Sequence, residues 1–191
     1  MYNKLASSLV KVMLENKTID SSKIDIYIYG IELIIAYICY FVILILNAIL
    51  TKTFLETVFF CLGFMILRRF AGGYHTSTYL KCQALFVVNQ YLFVVLIKTI
   101  PTEVYNYVLV FLLCFSVLTI WIFAPVDHKN RRFNHKERIH FQRISRVYSL
   151  VVVIIVVILY ECSQMSTFSY LIGVFSASCS IIAGYMQQKR N

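Results

Sequence analysis

Charge is what this sequence has least of. Only 14% of its 191 residues are Asp, Glu, Lys or Arg, and nine of those are acidic. Soluble domains carry about 25% charged side chains, so the chain lacks the material for a water-facing shell. Proline is nearly absent, with Pro101 and Pro125 alone, and so few helix breakers leave long segments uninterrupted. The six cysteines, Cys39, Cys61, Cys82, Cys114, Cys162 and Cys179, form no C-x-x-C pair and mostly fall inside apolar runs. A disulfide framework or a zinc site is therefore not expected, and neither is a cofactor. The first residues lack the short apolar core and cleavage site of a signal peptide. No internal repeat stands out, and residues 1–191 read as one polytopic membrane domain.

What is present is apolar. Hydrophobic residues make up 60% of the chain, against about 45–50% in soluble domains, and the mean hydropathy is +0.74. The solvent is mostly lipid. A net charge of +9 would raise nucleic-acid binding in a soluble protein. Here the basic residues lie between apolar runs, so membrane orientation explains them and no nucleic-acid partner is expected.

The fold class expected is an all-α integral membrane protein. Six transmembrane helices are predicted at about 31–50, 54–67, 81–100, 104–123, 147–160 and 167–186. Residues 1–29 are too polar for the bilayer core. Within them Tyr2, Leu5, Ala6, Leu9, Val12 and Met13 repeat at helical spacing, which predicts an amphipathic helix at the interface or packed on the protein's own cytoplasmic face. The second segment, fourteen residues long, covers only ~21 Å of a hydrocarbon core ~30 Å thick, and Arg68 and Arg69 would snorkel from its end. The Val/Ile run of 147–160 has strand-like composition, but lipid demands internal backbone pairing, so a helix is predicted. Gly173, Ser176, Ala177, Ser178 and Ser180 give the last span a small-residue face for close packing. Residues 127–146 read as a basic loop. With six spans, every Lys and Arg except Lys52 and Lys98 falls on one side, which predicts cytoplasmic termini and a cytoplasmic location for the loop between the second and third spans.

That loop carries the chemistry. It reads Arg68-Arg69-Phe70-Ala71-Gly72-Gly73-Tyr74-His75-Thr76-Ser77-Thr78-Tyr79-Leu80-Lys81-Cys82. A thiol attacks as thiolate, and a free cysteine has a pKa near ~8.5. Thr76, Ser77 and Thr78 are good helix caps, so a helix can begin just before Cys82 and place its positive end there. Arg68, Arg69 and Lys81 add positive charge. His75 can take the proton and later return it to a leaving group. On one straight helix a seven-residue separation puts the two side chains ~10.5 Å apart. His75 must therefore lie outside the helix of Cys82, on a turn that the freedom of Gly72-Gly73 permits. Taken singly, each of these features has an ordinary structural role. Their coincidence within fifteen residues points to a cysteine nucleophile with its base.

The run also resembles the signature of the AgrB family, the accessory gene regulator membrane endopeptidases of Gram-positive quorum sensing. The resemblance extends to chain length, the polar N-terminal helix, the apolar runs and the turn Ala124-Pro125-Val126-Asp127-His128-Lys129-Asn130. It implies that His75 and Cys82 are catalytic, that Arg68, Arg69 and Gly73 are needed, and that the enzyme sits in the cell membrane. The implied substrate is an AgrD-like propeptide with an amphipathic leader and an acidic tail. It is cut on the C-terminal side through a Cys82 thioester and released as a macrocyclic thiolactone or lactone.

For a third catalytic group, Glu32 and Asp127 are favoured over Asn89 and Gln83, with a simple Cys–His dyad the preferred reading. The basic loop sets seven Lys and Arg against Asp127 and Glu137, suiting an acidic peptide tail or anionic lipid headgroups. The expected partners are thus propeptide and membrane lipid, and a homodimer is compatible with so few helices. Two other readings compete. A non-enzymatic transporter of a peptide or cation would use Glu32, Glu56 and Lys98 as membrane charges, but lacks internal symmetry. A lipid-directed enzyme would place Arg68 and Arg69 on phosphate, but lacks an acidic metal-binding motif.

Overall fold

The computed structural model describes residues 2–16, 18–74, 79–127 and 133–190. Among them it holds seven α-helices and no strand. The chain divides into two compact units, residues 1–50 and 51–191.

The first unit contains α1 (Tyr2–Glu15) and nearly all of α2 (Ile24–Thr51). Asp20 opens the short turn before α2 by accepting from the Ser22 amide at 3.0 Å, a bond that lowers its carboxyl pKa. α2 holds the most hydropathic of the membrane-length stretches, and only Ala36, Tyr40, Leu44 and Ala48 are buried on it. Those residues recur every fourth position, so they form a single ridge. The helix stops where Lys52 takes a positive φ of 56°.

The second unit holds α3 (Phe54–Ala71), α4 (Tyr79–Thr99), α5 (Tyr105–Phe123), α6 (His135–Cys162) and α7 (Gln164–Arg190). α7 is its spine and touches each of the other four. Of its membrane-length stretch 72% is buried, against 28% for α5 and for α6. Three of its buried or part-buried hydroxyls tolerate this because each bonds to a carbonyl one turn back. Thr167 donates to the Ser163 carbonyl at 2.9 Å, Ser169 to Met165 at 2.7 Å and Ser178 to Val174 at 2.9 Å, so no buried hydroxyl among these three is left unpaired.

Glycines let α3 lie directly on α7. A Cβ at Gly173 would strike the Phe60 carbonyl, and one at Gly63 would strike the Tyr170 carbonyl. Contacts move the same way along both chains, from Gly63 against Tyr170 and Val174, through Arg68 against Ser180, to Gly73 against Gly184, so α3 and α7 run parallel. Aromatic rings fill the space around this crossing. Phe60 stacks on Phe93 of α4 at 4.7 Å, and Tyr105 of α5 meets Phe168 edge-on at 4.8 Å. Tyr148 of α6 and Tyr170 of α7 share a hydroxyl contact of 3.1 Å.

Among the described residues four helices, α2, α5, α6 and α7, are long and apolar enough to cross a membrane, and α4 carries a shorter apolar stretch, Ala84–Thr99. Helix ends differ from the sequence-based spans where charge replaces apolar side chains. α3 runs eighteen residues to Ala71, so Arg68 and Arg69 lie within it. Arginine is a good helix former and suits a helix C-terminus. The stretch 127–146 is not all loop, because α6 begins at His135. An Asn134–Glu137 capping box starts it, with the Asn134 side chain accepting from the Glu137 amide at 2.9 Å and the Glu137 carboxylate accepting from the Asn134 amide at 3.0 Å. Two of the orphan amides of the first turn are thereby satisfied.

Substituting Gly173→Ala should destabilise the protein by about 1–3 kcal/mol through overpacking, read as a lower melting temperature in detergent. Gly30→Ala, where an added Cβ meets nothing within 4 Å, should hold or raise it. Equal melting of the Gly173→Ala and parent chains would contradict the close crossing.

Candidate functional site

α3 ends at a glycine pair. The Gly72 amide donates to the Arg68 carbonyl at 3.2 Å, and Gly72 and Gly73 have φ of 74° and 139°. Residues with a Cβ rarely adopt these values. Space is short as well: a Cβ on Gly72 would meet the Val126 carbonyl, and one on Gly73 would come within 2.8 Å of the Ser180 hydroxyl.

The two glycines turn the chain onto α7. The Tyr74 amide donates to both oxygens of Ser180, to the carbonyl at 2.8 Å and to Oγ at 3.1 Å. Arg68 reaches over from α3. Its Nη1 donates to Ser180 Oγ and its Nη2 to the Tyr74 carbonyl, and its guanidinium lies 5.8 Å from the centre of the Phe64 ring. One arginine therefore ties the end of α3, the departing chain and α7 together. Gly184, one helical turn beyond Ser180, lies against the Gly73–Tyr74 peptide, where a Cβ would stand 2.8 Å from the Tyr74 nitrogen.

The segment after α5 packs on the other side of the corner. The Val126 amide donates to the Ala71 carbonyl at 2.9 Å, and the Ala124–Pro125 peptide before it is cis. Asp127 follows, half-buried. Its Oδ1 is buried and, among the described residues, has no hydrogen-bond partner.

The sequence-predicted residues are thus distributed unevenly. Arg68, Gly72 and Gly73 converge on one corner, and Asp127 follows the residue that packs against it. Arg69 sits on the same turn as Arg68 but is exposed, because successive residues on a helix diverge by about 100°. The pair reads as one feature in sequence and serves two directions in space. His75, with Thr76, Ser77 and Thr78, lies outside the described residues, as do Lys129, Arg131 and Arg132. α4 starts at Tyr79, so the backbone of Cys82 lies at its fourth position, in the first turn. Amides of a first turn lack intrahelical acceptors and carry the positive end of the helix dipole. Glu32 belongs to the first unit, on α2.

Ser180 is the residue that sequence reasoning missed as part of the site. Within the small-residue face of the last span it reads as packing. The available signal was its four-residue spacing to Gly184, which puts both on one face of α7. Beside the corner, Phe70 and the α6 residues Arg143, Ile144, Val147, Tyr148 and Val151 line a groove of about 320 Å³. Among the described residues no three His, Cys, Asp or Glu side chains group to hold a metal ion.

The family model described as Accessory gene regulator B matches residues 2–183. Curated relatives are named by their likeness, as AgrB-like. One from Listeria innocua is 30% identical over 103 residues, which cover 52% of this chain and 48% of that protein. One from Listeria welshimeri is 29% identical over 103 residues, with the same coverage. One from Listeria monocytogenes is 27% identical over 99 residues, again 52% and 48%. The chain spans about half the length of the curated relatives it matches. No solved structure matches it.

Arg68→Lys keeps the charge but removes the forked donor. Hydrogen exchange of the Tyr74 amide should then speed up, whereas Arg69→Lys should leave it unchanged. Similar exchange in the two variants would remove the structural distinction between the arginines.

Proposed function

Because the chain belongs to the accessory gene regulator B family, we propose that it is a membrane-embedded cysteine endopeptidase that cuts an AgrD-like propeptide and cyclises the part it retains. One observation carries this reading. The anchored Tyr74 ends one peptide bond before His75, and α4 places Cys82 in its first turn. An anchored residue immediately before His75 in the sequence, and a helix whose first turn holds the Cys82 backbone, support the reading of these two as base and nucleophile of a dyad.

The steps balance without water. His75 takes the proton of the Cys82 thiol, and the thiolate, favoured by the first turn of α4, attacks the carbonyl carbon joining the future signal to its tail. The C–N bond breaks, the tail's amine leaves with the proton from His75, and a thioester remains on Cys82. A cysteine thiol or serine hydroxyl inside the retained peptide then attacks that thioester. The ring closes as thiolactone or lactone, and the Cys82 thiol returns. Exclusion of water favours ring closure over hydrolysis, and a site at the lipid interface supplies it. First-turn amides of α4 are suitable donors to the developing oxyanion. Arg68 is engaged by Ser180 and Tyr74, which leaves the exposed Arg69 to meet the acidic tail. The groove of Phe70, Arg143, Val147 and Val151 offers an apolar surface suited to the apolar face of an amphipathic propeptide. Asp127, and less directly Glu32, remain the candidates to support the dyad.

The same reading keeps six crossing helices, with α3 the short one and α1 at the interface. Both termini and the loop face the cytoplasm of a Gram-positive cell. The parallel course of α3 and α7 supports this, since α4, α5 and α6 then alternate between them. A tag after Arg190 should stay inaccessible from outside intact cells.

Co-expression with the AgrD-like propeptide, followed by mass spectrometry, tests the activity. Cys82→Ser and His75→Ala should each abolish release of the acidic tail at unchanged protein level, and the parent should yield a Cys82 thioester adduct when the internal nucleophile of the peptide is removed. Normal cleavage in either variant would sink the assignment.

A further inference from the structure

We infer that Ser180, on α7, is a positioning residue for this site, acting through Arg68 and the Tyr74 peptide. The inference rests on the endopeptidase reading above. Ser180 Oγ accepts from both Arg68 Nη1 and the Tyr74 amide, and the Ser180 carbonyl accepts from that same amide. The Tyr74 carbonyl is held by the other arm of Arg68. Both backbone polar groups of Tyr74 are therefore held, which restrains rotation on either side of its Cα immediately before His75. Gly73 leaves no room for a Cβ beside Ser180, and Gly184 leaves none beneath the Gly73–Tyr74 peptide, so the fit is set by sterics as well as by hydrogen bonds.

The hydroxyl is the part that matters. With alanine at this position the backbone carbonyl can still take the Tyr74 amide. Arg68 Nη1, in a half-buried setting, loses the Ser180 hydroxyl as an acceptor, and hydrogen bonds to charged groups are among the stronger ones. The guanidinium then turns toward other acceptors and releases the Tyr74 carbonyl. Ser180 acts two steps from the chemistry, so its loss changes turnover and thiol ionisation rather than substrate capture.

The test uses full-length protein in vesicles. It compares the parent, Ser180→Ala, Ser180→Thr, Arg68→Lys and the Ser180→Ala/Arg68→Lys pair. Cleavage kinetics are read with the propeptide, and alkylation of Cys82 by iodoacetamide is followed against pH by mass spectrometry. Ser180→Ala should lower kcat on the order of tenfold with KM little changed, and should move Cys82 alkylation to higher pH. Ser180→Thr, which keeps the hydroxyl, should recover most of both. The double variant should be no worse than Arg68→Lys alone, since residues acting in one chain do not add. Parental kcat and alkylation profile in Ser180→Ala, or losses that add in the double variant, would overturn the inference. Should Ser180→Ala fail to accumulate, a parental alkylation profile in Arg68→Lys would overturn it equally. Retained cleavage in Cys82→Ser marks failure of the endopeptidase reading, and both then fall. Loss of cleavage in Cys82→Ser with a parental Ser180→Ala removes only the role of Ser180.

Discussion

Two glycines decide how close two helices may come, and the second unit depends on that distance. Gly63 and Gly173 let α3 and α7 touch through their backbones. Lipid offers no hydrophobic drive for helices to associate, so close dispersion contact supplies much of the attraction. Near contact at this crossing brings the last turn of α3 within reach of Ser180, and only then can one arginine bond across both helices and the chain leaving them. Wider separation would leave Arg68 pointing at a carbonyl it could not meet.

Polarity inside the unit follows the same logic. α7 is the least apolar of the four membrane-length helices and by far the most buried. The Ser169 and Ser178 hydroxyls bond to its own carbonyls, and small side chains permit neighbours on several sides. One larger polar group finds its partner across a helix boundary. The Trp121 indole donates to Ser149 at 3.0 Å while Arg146 lies 5.1 Å from the centre of the same ring.

Legibility in the sequence divided along physical lines. Apolar runs were plain, because a segment that crosses lipid must declare itself over many consecutive residues. Helix ends were not. Arg68 and Arg69, and the turns from His135 to Arg146, drop out of any hydropathy pattern although nothing in them opposes a helix, and the Asn134–Glu137 box favours one. Gly72 and Gly73 announced a turn because few other residues can make it. Arg68 and Arg69 looked equivalent, and only the rotation of a helix separates an inward side chain from an outward one. Ser180 stayed hidden because its partner Tyr74 is 106 residues away, and a lone sequence records no such pairing. The expectation that Cys82 pairs with His75 rests on sequence chemistry alone, because His75 lies outside the described residues.

α6 runs without a break from His135 to Cys162, a rod of ~42 Å at ~1.5 Å per residue, against a hydrocarbon layer of ~30 Å. Lys136, Arg138, Arg143 and Arg146 ride on its leading turns in fixed rotational order. A slack tether would absorb any change in bilayer thickness before it reached those cations. A stiff shaft transmits it, so thinning or thickening of the membrane raises, lowers or tilts all four charges together.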